Sequence, residues 1–270
     1  ADSSLALQAT ETLVKAKMVD GMMYGDQVKD AVKKMMKLEK DDDIAQLTLN
    51  DMLNVKDEKV EGSEIAVYYA EGDIVQDPKA ATMFGNNNYI ASRKVCKDLE
   101  DLINDDDVKA VVVRINSGGG DAYASEQMWH QMSELRKVKP VVVSMGDYAA
   151  SGAYYMSAPA SWILAQPNTL PGSIAIFAVI PDLSGLVTSK LGVRFDEVKT
   201  NRNSTFGNLM ARPFNAEEKA MLQASVNRGY SLFRQRVADG RRLPVESVEK
   251  IAQGRVWLAT DALNIKLVDQ

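Results

Sequence analysis

The sequence predicts an α/β fold of layered βαβ units that follows a helical opening segment. Two runs, VKAVVVRI at 108–115 and PVVVSM at 140–145, are continuous and rich in β-branched residues, as expected of strands that are covered on both faces. A helical pattern with a period near 3.6 lies between them, at 123–138. Alternation of strands and helices in this way is typical of layered α/β proteins.

The remaining elements are predicted from the same patterns. A strand at 64–70 opens the α/β part, and a helix over 216–238 begins at Asn215, a good N-cap with Glu218 three residues later. The apolar stretch 173–186 is interrupted by a proline, an aspartate and a glycine, so we expect a buried strand and a turn there. The other predicted elements are helices at 91–103, directly after Ser151 and at 245–253, and strands at 162–165 and 193–198.

The first sixty residues differ from the rest, which divides the chain into two predicted parts. Residues 1–58 form a helical segment with a charged linker, and residues 59–270 form the α/β domain. The run ATETLVKAKMVD at 9–20 is similar to ATDALNIKLVD at 259–269, either by chance between two short helices or because both end a repeat. In the second case, we expect a whole repeat upstream of this chain.

Composition excludes several classes of function. The formal net charge is -5 and the Lys and Arg residues are scattered, so we expect no nucleic acid partner. One cysteine, Cys96, and one histidine, His130, cannot form a zinc site of the usual ligands, and no metal or cofactor is expected. The first thirteen residues lack the basic and apolar regions of a secretory signal, and no run of about 18 apolar residues occurs.

Two segments combine the end of a strand with glycines or small residues at the start of a helix. They are RINSGGGDAYAS at 114–125 and SMGDYAASGAYY at 144–155. Glycines in such a place let the backbone approach a ligand and direct free amides at it. The first segment has neither the Gly-Lys-Ser/Thr ending of a P-loop nor the spacing of a dinucleotide fingerprint, which argues against phosphate. An oxyanion hole, which uses two fixed amides, and a simple tight turn both stay open.

Ser151 is the candidate nucleophile. It lies between Ala150 and Gly152, whose small size leaves room for an acyl group, and at a helix start, where free amides are available. A serine in this position can equally be a helix cap or a solvated hydroxyl. Spacing alone leaves both interpretations open.

The two segments resemble those of a known family. NSGGGDAYAS is similar to the Asn-Ser-Pro-Gly-Gly segment of the signal peptide peptidase A family. GDYAASGAYYMSAPA and the following ILAQPNTLPGSIAIFAVI are similar to its Ala-Ala-Ser-Gly-Gly-Tyr and Thr-Gly-Ser-Ile-Gly segments. The resemblance covers 64–269, and residues 1–58 resemble the stretch that joins the two halves of tandem members. It implies a fold of the crotonase and Clp protease type, a layered βαβ spiral.

The resemblance also assigns roles to residues of this chain. It implies that Ser151 is the nucleophile and that the amides of Gly120 and Gly152 form the oxyanion hole. Gly119 and Ser117 would belong to the loop that supports this hole. Where the family has a proline in this loop, this sequence has a glycine, which loosens the loop without removing the donors.

The general base is absent from its expected place. The family uses a Ser-Lys dyad, in which a buried neutral lysine takes the proton of the hydroxyl. The aligned position here is Arg202, whose guanidinium cannot be deprotonated, and Lys199 lies three residues earlier, where a strand presents its other face. His130 precedes the serine by 21 positions, whereas Clp proteases carry their histidine after it. We therefore expect the lysine to come from an upstream repeat, as in tandem members.

The function that the resemblance implies is that of a serine endopeptidase. It would hydrolyse remnant signal peptides at the bacterial inner membrane, on the periplasmic or outer face. Its partners would be the upstream repeat, peptide substrates, a membrane reached through an anchor outside this chain, and further copies in a homo-oligomer. Two alternatives stay open: a crotonase-like enzyme that binds acyl-CoA at the same glycine amides, and a non-catalytic assembly module of a peptidase.

Overall fold

The computed structural model describes residues 11–21, 23, 25–39, 44, 63–77, 88–199 and 205–270 of the chain. The chain consists of two compact units, Ala1–Glu61 and Gly62–Gln270. The described helices of the first unit are α1 (Glu11–Lys15) and α2 (Gly25–Met36), which confirm the predicted helical opening. The assignment of this segment to the end of an upstream repeat stays a prediction. Most of the predicted charged linker lies outside the described residues.

A parallel sheet forms the centre of the second unit. Its strands, in chain order, are β1 (Glu64–Glu71), β2 (Asp73–Val75), β3 (Tyr89–Ala91), β4 (Val108–Ser117), β5 (Val141–Ala150), β6 (Trp162–Leu164) and β7 (Leu170–Gly172). The sheet has the order β1-β4-β5-β6, with every pair parallel, and β7 pairs with the carboxyl end of β5. β2 and β3 form a second, small parallel sheet. The predicted α/β class with layered βαβ units is confirmed. Its assignment to the crotonase and Clp protease type stays a prediction.

Helices pack against one face of the main sheet. They are α3 (Ser92–Asn104), α4 (Ala122–Val138), α5 (Gly152–Ser157), α6 (Ala216–Arg241), α7 (Val245–Ile251) and α8 (Ala259–Asn264). A π-helical turn (Gly185–Lys190), which has no buried residue, lies between α5 and α6 in the sequence. On α4 the buried residues Ser125, Met128 and Met132 follow a spacing of three and four, the pattern of a helix that covers a core. Asn215 and Glu218 form the predicted capping box at the start of α6. None of the described helices is both long and apolar enough to cross a membrane.

The hydrophobic core lies between this face of the sheet and the helices. Val111 and Val113 on β4 and Val143 on β5 are fully buried and point into it. The alternate residues, Val112 and Val142, are only half-buried. The prediction that both faces of these strands are covered therefore holds for one face and only partly for the other. Because β4 and β5 pair in parallel above this core, their carboxyl ends lie side by side.

The segment after β7 differs from the prediction. The sequence predicts a buried strand within 173–186 and another at 193–198, but the π-helical turn is the regular element that the structure has there. Phe177 and Val198 are 82% and 92% exposed. Apolar and β-branched residues predict strands because such residues are usually buried, and the described part of this chain does not bury them here. We call residues 176–198 the apolar arm.

Candidate active site

Ser151 lies at the junction of β5 and α5. It follows the last residue of β5 and is the N-cap of α5. Its backbone has φ +52° and ψ −121°, a combination that residues with a Cβ seldom adopt. Its amide donates to the carbonyl of Gly172 at 2.8 Å, and its carbonyl accepts from the amide of Tyr155 at 2.9 Å. Because the side chain is partly exposed, the hydroxyl is presented on a strained turn at the edge of the sheet.

The helix behind this turn is held tightly. Every residue of α5 is buried. The hydroxyl of Tyr154 donates to the carbonyl of Leu267 at 2.7 Å, and burial raises the pKa of this phenol, which keeps it a neutral donor. The ring of Tyr155 packs on that of Phe233, with 4.3 Å between the ring centroids. Strained backbone persists only where its surroundings hold it, and these contacts do so for Ser151.

The glycine loop after β4 is fixed by its own hydrogen bonds. The amide of Gly119 donates to the hydroxyl of Ser117 at 3.0 Å, and the side chain of Ser117 is buried beneath the loop. The carbonyl of Gly119 accepts from the amide of Ile74, and the carbonyl of Ile74 accepts from the amide of Asp121, both at 2.9 Å. The loop is therefore attached to β2 on both sides of Gly120. Gly119 and Gly120 have φ values of +100° and +155°, which favour glycine.

The glycine loop lies directly against the serine turn. A Cβ on Gly119 would come within 2.6 Å of the Gly152 nitrogen and 2.8 Å of the Ser151 Cβ. A Cβ on Gly152 would come within 3.3 Å of the Gly120 nitrogen. The two distances from Gly119 are too short for a real Cβ, and the one from Gly152 is tight, so Gly119 in particular is needed for the two segments to touch. The structure thus brings together the sequence-predicted residues Ser151, Gly119, Gly120 and Gly152.

Two amides at this contact are unpaired. In the described part of the chain, neither the amide of Gly120 nor that of Gly152 donates to a protein acceptor. The amide of Gly119, in contrast, is occupied by Ser117. A hydroxyl with two unpaired backbone amides beside it is the arrangement that acyl transfer uses, because a negative charge on a carbonyl oxygen can be met by both amides.

Sequence reasoning missed several residues that hold these two segments in place. Ile74 attaches the glycine loop through its backbone, and its strand β2 is too short to show a period. The side-chain oxygen of Asn116 accepts from the amides of Asp147 and Tyr148, at 3.0 and 3.2 Å. This bond spans the irregularity in the pairing of β4 with β5, just before Ser151. Asn116 belongs to the glycine motif itself, so its side-chain amide at the end of a strand could have identified it as a residue that holds the two segments.

No candidate base reaches the serine within the described residues. None of their side chains forms a hydrogen bond with the Ser151 hydroxyl. His130 is exposed on α4, five residues after the buried Ser125, which turns it by about 140° away from the core side of the helix. The ammonium of Lys199 is 2.8 Å from the Glu197 carboxylate, and its side chain is 46% exposed. Arg202 lies outside the described residues.

Comparison with known proteins places this site in a family. The model of peptidase family S49 matches residues 133–270, which include Ser151 and the helices that follow it. Protease 4 of Haemophilus influenzae is 37% identical over 211 residues, which make up 77% of this chain and 32% of that protein. The chloroplastic serine protease SPPA of Arabidopsis thaliana is 31% identical over 265 residues, or 96% of this chain and 38% of that protein.

A third relative is shorter. A putative signal peptide peptidase SppA of Enterococcus faecium is 30% identical over 198 residues, which cover 73% of this chain and 57% of that protein. The chain thus spans about a third of the length of the first two relatives and just over half of the third. The family match covers half of this chain, on the strand and helix that carry the serine turn. The chain therefore belongs to peptidase family S49, the family of the signal peptide peptidase A proteases.

Proposed function

We propose that this chain is the serine-bearing part of a peptidase that works by acyl transfer. The observation that carries the proposal is the pair of unpaired amides, those of Gly120 and Gly152, beside the hydroxyl of Ser151. The Ser151 oxygen attacks the carbonyl carbon of a peptide bond and gives its proton to the base. The two amides donate to the resulting oxyanion. Removing one such donor typically costs about 10²- to 10³-fold in rate, so the pair is a large part of the catalytic effect.

In the steps that follow, the base gives up the proton that it took from Ser151. The C–N bond of the substrate breaks, and the protonated base gives its proton to the leaving amine. Water then attacks the acyl-enzyme ester while the base takes its proton, and the base returns that proton to the Ser151 oxygen as the acyl group leaves. The strained turn supports this cycle because it keeps the hydroxyl in one position throughout.

The base, in this proposal, is a neutral lysine from an upstream repeat. Three observations support it. The Ser151 hydroxyl has no hydrogen-bond partner among the described residues, Lys199 is exposed and ion-paired with Glu197, and the aligned residue is Arg202. A base must be free of its proton, and a guanidinium cannot lose its own in a protein. Arg202 therefore does not meet this requirement, and Lys199 is paired with Glu197 rather than with Ser151.

The exposed residues of the apolar arm support the proposal that this chain has a partner domain of the same fold. Phe177, Val179 and Val198 are each more than four-fifths exposed, and contiguous exposed apolar residues of this kind mark interaction surfaces. Along the chain, the arm connects the segment after β7 with Lys199. We propose that it docks on the upstream repeat or on a further copy in a homo-oligomer.

The substrate class follows from the family. We propose remnant signal peptides at the bacterial inner membrane, hydrolysed on its periplasmic or outer face, with an anchor outside this chain. One relative carries the name signal peptide peptidase, which supports this substrate.

Labelling with a fluorophosphonate tests the proposal. We expect the protein with its upstream repeat to be labelled at Ser151 and to hydrolyse a short apolar peptide, and Ser151→Ala to lose both activities while staying folded. Ser161→Ala, which changes an exposed serine, is the matched control and should keep both. Hydrolysis by Ser151→Ala within tenfold of the original rate would contradict the nucleophile. Absence of labelling in the presence of the repeat would favour the non-catalytic module.

A further inference from the structure

The two unpaired amides lie at the amino ends of two different helices. Gly120 directly precedes Asp121, the N-cap of α4, and Gly152 is the first residue of α5. The distance between the two amides therefore depends on how α4 and α5 lie against each other. Any contact that fixes this packing also fixes the geometry of the oxyanion hole.

One such contact lies at the amino ends of the helices. The hydroxyl of Ser125 on α4 donates to the carbonyl of Asp121 at 2.8 Å and is fully buried. A Cβ on Gly152 would come within 2.3 Å of this hydroxyl oxygen, so the two residues are in direct contact. This contact acts as a pivot, which fixes one point of α5 against α4 but leaves the angle between the helices open.

A second contact lies three residues further along α5, at Tyr155, and at the next residue of α4, Glu126. The hydroxyl of Tyr155 on α5 donates to the carboxylate of Glu126 on α4 at 2.6 Å. The same carboxylate accepts from two nitrogens of Arg236 on α6, at 2.5 and 3.3 Å. Glu126 thus joins three helices, and together with the pivot it determines the angle between α4 and α5.

The surroundings of Glu126 strengthen this link. The guanidinium of Arg236 lies 3.7 Å from the ring centroid of Trp129, which holds it over the carboxylate. The side chains of Glu126 and Arg236 are only 24% and 25% exposed, so water screens their attraction less than it does for a surface pair. Burial and the bond to Glu126 raise the pKa of Tyr155, which keeps the phenol protonated as a donor.

We infer that Glu126 and Tyr155 are positioning residues for the oxyanion hole, an inference that rests on the proposed function. Neither residue needs to touch the substrate, since each acts through the helix that carries one of the two amides. A misplacement of about 1 Å in a reacting geometry can cost 10²-fold in rate. If the bond between Tyr155 and Glu126 is lost while the pivot stays in place, the angle between α4 and α5 can vary. This should lower kcat without weakening substrate binding.

The test uses the protein with its upstream repeat, a short apolar peptide substrate and a peptide boronic acid. The boronate forms a tetrahedral adduct with serine, so its affinity reports the oxyanion hole directly. We expect Tyr155→Phe and Glu126→Gln each to lower kcat by about 3- to 30-fold, with KM unchanged within about twofold. Boronate affinity should fall by the same factor as kcat. Glu134→Gln, on the same helix in an exposed pair with Lys137, is the matched control and should change nothing.

Four outcomes separate the possibilities. If both variants have the kcat and boronate affinity of the Glu134→Gln control, the positioning role is wrong. A rise in KM with kcat unchanged would also contradict it, because that result indicates substrate binding. If Glu126→Gln does not fold, Tyr155→Phe decides, since it keeps the ring packing on Phe233. If the unaltered protein does not hydrolyse the peptide, the proposed function fails, and the inference fails with it.

Discussion

The backbone amide of Gly119 donates a hydrogen bond to the hydroxyl oxygen of Ser117 at 3.0 Å. The next amide along the chain, that of Gly120, has no protein acceptor among the described residues. Two adjacent glycines therefore differ in what their amides do: one is used to hold the loop, and the other is available beside Ser151. The hydroxyl of Ser117 is the group that makes this difference.

We predict that Ser117→Ala lowers both stability and kcat. The buried amide of Gly119 would lose its acceptor, which typically costs about 1–3 kcal/mol, and the loop would be free to shift. A loss of about 3- to 10-fold in kcat is expected, measured with the upstream repeat present. Ser161→Ala is a useful control, because the Ser161 hydroxyl accepts from the amide of Val141 at 3.2 Å, away from the site. A kcat as high as that of Ser161→Ala would show that the loop is held by other contacts.

The second prediction compares neighbouring glycines. We expect Gly120→Ala to abolish activity, because its Cβ would lie 2.2 Å from the carbonyl oxygen of Ile74 and its φ of +155° is unfavourable for alanine. Gly118→Ala should be close to the original protein, since a Cβ there has no atom within 4 Å in the described structure. Peptide hydrolysis and thermal unfolding of the two variants give the comparison. Equal activity of both would mean that the loop does not need its observed conformation.

The site was predictable to the extent that it is local in sequence. Ser151 and Gly152 adjoin each other, and Gly119 and Gly120 stand in one motif, so composition at two strand ends was enough to identify them. That these segments touch depends on the parallel pairing of β4 with β5, which alternating strands and helices also predict. The fold class was accessible for the same reason.

What could not be predicted depends on distant or missing neighbours. Arg236 meets Glu126 across 110 positions, and no local pattern pairs them. β2 and β7 have three residues each, too few for a period. The apolar arm has the composition of buried strands yet is exposed in this chain, so its sequence predicted burial that the described part of the chain does not provide.

The third prediction concerns the histidine. His130→Ala should keep peptidase activity within about twofold, because an exposed residue on α4 that has no bond to the serine contributes little to stability or catalysis. The measurement is kcat/KM on the peptide substrate, with Ser151→Ala as the inactive reference. A folded variant that has lost several orders of magnitude would restore a Ser-His mechanism.

The fourth prediction concerns pH and the start of α6. The buried Glu218 accepts two hydrogen bonds from Arg212, each at 2.8 Å, and one from the amide of Asn215 at 2.9 Å. These bonds lower the pKa of Glu218 to about 2, and those from Arg212 have the largest effect. Because the folded pKa is below the unfolded value near 4.5, this stabilisation is complete above that value and is lost as the pH falls toward 2.

Urea unfolding as a function of pH checks this. Glu218→Gln should unfold at lower urea than the original protein at pH 7, and the difference should shrink as the pH falls from about 5 to about 2, where both carry a neutral side chain. Glu246→Gln, an exposed position on α7, serves as the control. A difference that stays constant over this range would mean that the charge of Glu218 does not stabilise the fold.

The last prediction concerns the base. A serine hydroxyl without a base in hydrogen-bond reach loses general-base assistance, which is typically worth about 10²- to 10⁴-fold. We therefore expect the 270-residue chain alone to be folded but to hydrolyse a short apolar peptide at least 10²-fold more slowly than it does with its upstream repeat. The repeat can be supplied in the same polypeptide or by co-expression.

Two substitutions locate the base further. Arg202→Lys alone should give little rescue, because a new amine acts as a base only where the pocket also removes its proton by burial. Lys199→Ala should leave the rate with the repeat unchanged, since the Lys199 ammonium is paired with Glu197 and 46% exposed. Full activity from the chain alone, lost in Lys199→Ala, would show that the base lies within this chain and that the arm moves to bring it to Ser151.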